Sequence, residues 1–99
     1  VILGYKDKRT EMFANGFFVP AFQGFEQQAA RRLAILNAAP SLETLRGLPS
    51  NRLEALKGRR KGQHSIRINR RWRVCFVWRV CFVWVEGEGP TDVEVVDYH

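Results

Sequence analysis

The sequence holds little of what builds a covalent or metal-held scaffold. Of its 99 residues, two are cysteine and two are histidine. In one extended strand Cys75 and Cys81 would stand roughly 20 Å apart, at about 3.3 Å per residue, beyond disulfide reach. So few ligands argue against a structural zinc site, and neither a metal nor a cofactor is expected. No uncharged run approaches the ~20 residues of a membrane helix. The amino end shows no basic region leading into an apolar core, so no export signal is read. A reducing cytoplasm fits the cysteine pattern. Gly87-Glu88-Gly89 is too short for a nucleotide-binding loop and sits in a turn. No serine or cysteine stands in a triad pattern, and both cysteines read as small packing groups among bulky strand residues.

Acidic residues are missing from one long stretch. Lys57, Arg59, Arg60, Lys61, Arg67, Arg70, Arg71, Arg73 and Arg79 account for nine of the sixteen basic residues, with no acid between them. Glu86, Glu88, Asp92, Glu94 and Asp97 follow, half of the ten acids. A net charge of +6 can be no more than a solvated surface. Its concentration in one segment, with aromatics interleaved, points instead to a polyanion, of which nucleic acid is the commonest. With 45% hydrophobic and 26% charged residues, the chain reads as one globular domain over residues 1–99.

The patterning gives the elements in order. Val1–Tyr5 is a candidate first strand, and Asp7–Ala14 a short helix ended by Asn15-Gly16. Phe22, Phe25, Ala29, Leu33 and Leu36 recur every three or four residues. This is one apolar stripe of a helix from near Pro20 to before Pro40. Ser41 can cap a further turn that presents Leu42 and Leu45. Asn51 with Glu54 resembles a capping box opening a turn over Arg52–Leu56, closed by Gly58. From His64 the period becomes two, with Asn69–Arg71 as a tight connection and Val93–His99 as a last strand. His64 shares the face of Ile66 and Ile68, which favours packing over catalysis. The order β-α-α-β-β-β predicts an α+β fold, N-terminal helices packed on one face of a small, mostly antiparallel sheet.

One segment is written twice. The hexapeptide RVCFVW fills Arg73–Trp78 and again Arg79–Trp84, a tandem duplication over 73–84. Trp72, Val74, Phe76, Trp78, Val80, Phe82 and Trp84 share one apolar face, and Arg73 and Arg79 charge the other. Six is even, so the duplication keeps every side chain on its own face. It does not keep length: fourteen residues in one strand span ~46 Å, against a usual ~17–20 Å. Either the strand overhangs its partners as a long hairpin, or one copy loops out. If the copies pair with different neighbours, Asp97–His99 stand up to ~20 Å from Arg67.

Asp97, Tyr98 and His99 put a carboxylate, a phenol and an imidazole at the end of a strand, beside the arginine-rich hairpin. Cleaving RNA without a metal needs a base for the 2′-hydroxyl, an acid for the leaving 5′-oxygen, and positive charge at the phosphorane. Histidine suits proton transfer near neutrality, and Arg and Lys supply the charge. The bland alternatives are a solvated tail for His99 and an exposed sheet face for Arg67 and Arg73.

Asn51–Asn69 (NRLEALKGRRKGQHSIRIN), Trp72–Phe76 and Val93–His99 (VEVVDYH) together resemble the HigB toxins of the RelE superfamily. The resemblance implies a RelE-like fold and a ribosome-dependent mRNA endonuclease that inhibits translation. It implies as partners the ribosome, mRNA and a HigA-type helix-turn-helix antitoxin, with operator DNA reached only through the antitoxin complex and no membrane. By the same resemblance, Lys57, Arg67 and Arg73 contact the scissile phosphate, and Asp97, Tyr98 and His99 form the C-terminal catalytic group. Arg59, Arg60, Lys61, Arg70, Arg71 and Arg79 are expected to bind RNA. Some members carry histidine where this chain has Glu54, and the family has one WRVCFVW-like strand where this chain has two in tandem. The alternative is a non-catalytic RNA- or ribosome-binding module, its chemistry lost through the duplicated strand.

Overall fold

The computed structural model describes residues 1–71 and 76–98, the side chains of 69–71, 76, 77 and 98 excepted. Helices α1 (Lys8–Ala14), α2 (Glu26–Ala38) and α3 (Leu42–Arg46) come first. Strands β1 (Glu54–Ala55), β2 (His64–Arg71), β3 (Phe76–Val85) and β4 (Gly89–Tyr98) follow, neighbours in space as in sequence and all antiparallel. The class is α+β, as the patterning predicts. The order is α-α-α-β-β-β-β, not β-α-α-β-β-β.

Local chemistry explains the helices. Asp7 caps α1, its carboxylate accepting from the Thr10 amide at 3.0 Å. Ser41 caps α3, its hydroxyl accepting from the Thr44 amide at 3.3 Å. The stripe Phe22, Phe25, Ala29, Leu33 and Leu36 is buried along its whole length. The helix itself starts later than the stripe. Pro20–Phe22 makes a 3₁₀ turn, and Gly24 at φ 97° turns the chain before α2 begins.

Ile66, Ile68, Val80, Phe82, Val93 and Val95 from one sheet face join that stripe in a single core. Trp78 packs on Phe25 with ring centroids 4.6 Å apart and meets Phe22 edge-on at 5.9 Å. Fully burying a side chain such as that of Phe22 is worth about 1.5–3 kcal/mol. On the opposite face a smaller cluster joins Leu56, Cys81 and Val96. Cys81 is fully buried there, the small packing residue its neighbours call for. Burial also pushes its thiol pKa up.

Three local expectations are corrected. Val1–Tyr5 forms no strand of its own; it lies along β4 through one parallel bridge, Tyr5 to Val93. Leu3 N donates to Pro90 O and Lys6 N to Val93 O, but Asp92 at φ 51° interrupts the line of β4 between them. The capping box is absent. Asn51 is fully buried and spends its amide elsewhere, donating to Leu45 O at 3.0 Å and accepting from Arg32 Nη1 at 2.7 Å. Arg52 then turns left-handed (φ 48°, ψ 51°), and Glu54–Ala55 enters the sheet. Finally, Asn69–Arg71 is no connection: β2 bulges between Arg67 and Asn69 and stays paired to Arg71, opposite Phe76.

The bulge and the longer β2 answer the question of length. The second hexapeptide, with Phe76–Trp78 of the first and the following Val85, forms a ten-residue β3 that is paired on both sides. Of the fourteen-residue stretch, Trp72–Cys75 lie outside the described residues. Arg79 sits opposite Arg67 on one side and Val96 on the other. The same residues therefore face both neighbours, and the arrangement that would part the C-terminal end from Arg67 by ~20 Å does not occur.

Candidate functional site

Alternation decides which basic groups meet. Ile66 and Ile68 point into the main core, which leaves Arg67 on the far face of β2. On β3, Trp78 and Val80 take the core side and Arg79 the far side. Register then sets Arg67 beside Arg79, and β1 brings Glu54 in opposite Ser65. Arg67, Arg79 and Glu54, with Arg52 and Leu53, line a cleft of about 300 Å³.

Arg79 is the anchored member. Only 8% of the residue is exposed, and its guanidinium is held at one nitrogen. Nη1 donates to Glu54 Oε2 at 2.7 Å and to the buried Ser65 Oγ at 2.8 Å. A buried charge is tolerated when paired and hydrogen-bonded in this way. Glu54 is thus neither a helix cap nor an isolated acid; it is the counter-ion of Arg79.

Arg52 is a cleft residue that the sequence reading passes over. It is exposed, and its left-handed backbone is uncommon for a residue with a Cβ. Nothing in the letters NRLEALKG marks that conformation. The one signal was the Asn before it, read as a cap because its buried bonds to Leu45 and Arg32 connect positions distant in sequence.

The other expected residues scatter. Lys57, Arg59 and Lys61 are exposed around the turn Gly58–Arg60. Arg60 is engaged: Nη1 donates to Gln63 Oε1 at 3.0 Å and Glu94 Oε1 at 3.2 Å. Lys6 reaches the same Glu94 oxygen at 3.9 Å. Arg60 therefore braces the turn against β4. Asp97 is exposed near the end of β4, paired across from Trp78. Alternation puts it on the side of Val93 and Val95, not on the side of Arg79. Tyr98 pairs with Val77 through its backbone, and Arg70 and Arg71 continue β2. Their side chains, and all of Arg73 and His99, lie outside the described residues.

His64 packs, as its alternation suggests. Its ring stacks on Phe82 at 6.0 Å and 23°. Burial, with a smaller effect from Arg46, lowers its pKa below the usual histidine value. A histidine held neutral within an aromatic stack is poorly placed to exchange protons with a substrate.

Among the described residues, two larger hollows lie elsewhere. One, of about 450 Å³, is lined by Trp84, Glu43, Glu86 and Glu88; the other, of about 430 Å³, lies under the exposed Phe17 and Phe18. Among the described residues, neither is lined by a basic side chain. The smaller arginine-lined cleft is therefore the better seat for an anion. Among the described residues, no helix is long and apolar enough to cross a membrane.

Comparison with known proteins agrees with the motifs. The family described as the RelE-like toxin of the type II toxin–antitoxin system HigB matches residues 21–99. Toxin HigB-1 of Vibrio cholerae serotype O1 (strain ATCC 39315 / El Tor Inaba N16961) is 39% identical over 78 residues, covering 75% of this chain and 80% of that protein.

Proposed function

The chain belongs to the HigB family of RelE-like toxins of type II toxin–antitoxin systems, and on that premise we propose that it is a ribosome-dependent mRNA endonuclease. A type II toxin has an antitoxin as partner. In this reading the antitoxin is HigA-type, binds the operator by a helix-turn-helix, and neutralises a toxin that acts in the cytoplasm on ribosome-bound message. Residues 1–99 form one RelE-like domain with a duplicated hexapeptide at 73–84.

The observation that carries this reading is the register that sets Arg67 beside Arg79, with the end of β4 on the next strand. Two guanidiniums on one face suit a phosphodiester and the charge that builds on its phosphorane. The chemistry needs no metal. Arg67 and Arg79 hold and neutralise the phosphate, with Lys57 and Arg73 added on the strength of the motif. His99 transfers protons, Tyr98 stacks on a base or donates a proton, and Asp97 orients its neighbours. Arg59, Lys61, Arg70 and Arg71 track the RNA backbone, while Arg60 contributes through the turn it braces.

A second reading, a non-catalytic RNA- or ribosome-binding module, draws on the near-complete burial of Arg79. One experiment separates them. Wild type and His99→Gln are added to a translating extract and to free RNA, and cut sites are mapped by primer extension. Cuts in the extract alone, lost in His99→Gln, are the expected result. No cuts from wild type, together with growth arrest that the antitoxin relieves, would establish the binding module instead.

A further inference from the structure

The cleft already holds an anion of its own. We propose that the Glu54 carboxylate occupies the place on Arg79 that a backbone phosphate of the RNA takes, and that RNA binding displaces it. This rests on reading the cleft as an RNA site, and it makes Glu54 a residue that sets how tightly the cleft holds its substrate.

The geometry marks Glu54 as the partner that moves. In the pair, the Arg79 side chain is 10% exposed and that of Glu54 53%. Arg79 is fixed on β3, an inner strand paired with β2 and β4, whereas Glu54 sits on a two-residue strand at the sheet edge. A half-exposed ion pair is weak, because water screens the carboxylate that faces it. Ser65 Oγ shares the same Nη1 at 2.8 Å. When the carboxylate leaves, the guanidinium keeps one hydrogen bond and its direction.

The chemistry matches as well. A carboxylate and a phosphodiester each carry one negative charge and offer two oxygens to a guanidinium. Three arginines and one glutamate line the cleft, so Glu54 cancels part of the field that would draw in RNA. In the resting protein that cancellation offsets the cost of a buried arginine. In the bound state the phosphate takes over the same task.

The test is the affinity of the full chain for a short, labelled single-stranded RNA, measured by fluorescence anisotropy across a salt series. Wild type is expected to bind, and Glu54→Gln to bind about fivefold tighter, the factor that corresponds to roughly 1 kcal/mol. Glutamine keeps the shape and an acceptor oxygen but gives up the charge. The salt dependence of Glu54→Gln should steepen by about 0.7 in the log–log slope if one more phosphate is fully neutralised. Glu54→Asp, whose carboxylate is drawn back by one methylene, should tighten binding by a smaller factor and guards against misfolding of the first variant. Equal or weaker binding by both variants overturns the proposal and leaves Glu54 as a residue that merely positions Arg79. If neither wild type nor variants bind RNA, the reading of the cleft as an RNA site fails, and this proposal with it.

Discussion

Arg67 and Arg79 are Cα partners, two like charges directly opposite one another in an antiparallel ladder. Such a pair is unfavourable unless something compensates, and Glu54 on the next strand provides the opposite charge. The sheet thus carries a concentration of positive charge that folding alone would not favour. Sites that work against local stability are where function is usually found.

Arg79→Ala tests the anchored guanidinium. It leaves the fully buried Ser65 hydroxyl without its Arg79 bond, so a loss of about 1–3 kcal/mol in denaturant unfolding is expected. Message cleavage in a translating extract should fall about 100-fold or more, the usual effect of removing one preorganised charge at a reacting centre. Loss of stability with full activity would place the working arginine elsewhere.

Asn51→Ala should act at a distance from any chemistry. The buried amide joins Leu45 O and Arg32, and its removal strands polar groups at both ends. Urea unfolding should show a loss of about 1–3 kcal/mol. Arg52 leaves Asn51 directly in its left-handed turn, so RNA affinity should fall together with stability.

Arg52→Asn separates those two effects. Asparagine tolerates a left-handed backbone better than most residues, so the melting temperature should hold or rise. One positive charge is lost from the cleft, and the log–log salt slope of RNA binding should decrease by up to about 0.7. An unchanged slope would make Arg52 a bystander.

Thr10→Val probes the tie between α1 and the sheet. The fully buried Thr10 hydroxyl accepts from the Val95 amide at 3.0 Å. Valine keeps the shape and drops the acceptor, so about 1–3 kcal/mol should be lost with no change in RNA affinity. Hydrogen exchange at the Val95 amide should quicken.

The pH dependence has a definite sign. The folded state lowers the pKa of His64, so the unfolded chain takes up a proton first as the pH drops. The contribution of His64 to stability is complete above about 6.5, the unfolded value, and is lost as the pH falls through the lower folded one. His64→Phe keeps the stack on Phe82 and should flatten that part of the thermal-melt pH profile. An unchanged profile would assign it to other groups.

The elements with a strong period could be read from the letters. Phe22 to Leu36 announced a buried stripe, Ser41 a cap, and the alternation from His64 a strand, because each is a local pattern. What escaped is non-local. Asn51 looked like a cap because Leu45 O and Arg32 are invisible beside it in sequence. A two-residue strand such as Glu54–Ala55 has no period to detect. The copies RVCFVW are identical, so no letter could say that Arg79 is the arginine set across from Arg67; the bulge after Arg67 and the pairing on both sides of β3 say it. Of the cleft, Arg67, Arg79 and an interest in Glu54 were legible, while Arg52 and the ion pair were not.

The way the first six residues lie along β4 limits how another chain can extend this sheet. Leu3, Gly4 and Lys6 already exchange backbone hydrogen bonds with Pro90 and Val93, and Thr10 covers the Val95 amide. A visiting strand would have to strip those contacts away to add there. On the opposite side, among the described residues, only β1 is paired with β2, and only at His64 and Ser65. The remaining length of β2 on that side begins at Ile66 and runs past Arg67. A peptide that extends the sheet on the β2 side would settle against the edge that carries Glu54 and Arg67, and in doing so would cover the mouth of the cleft.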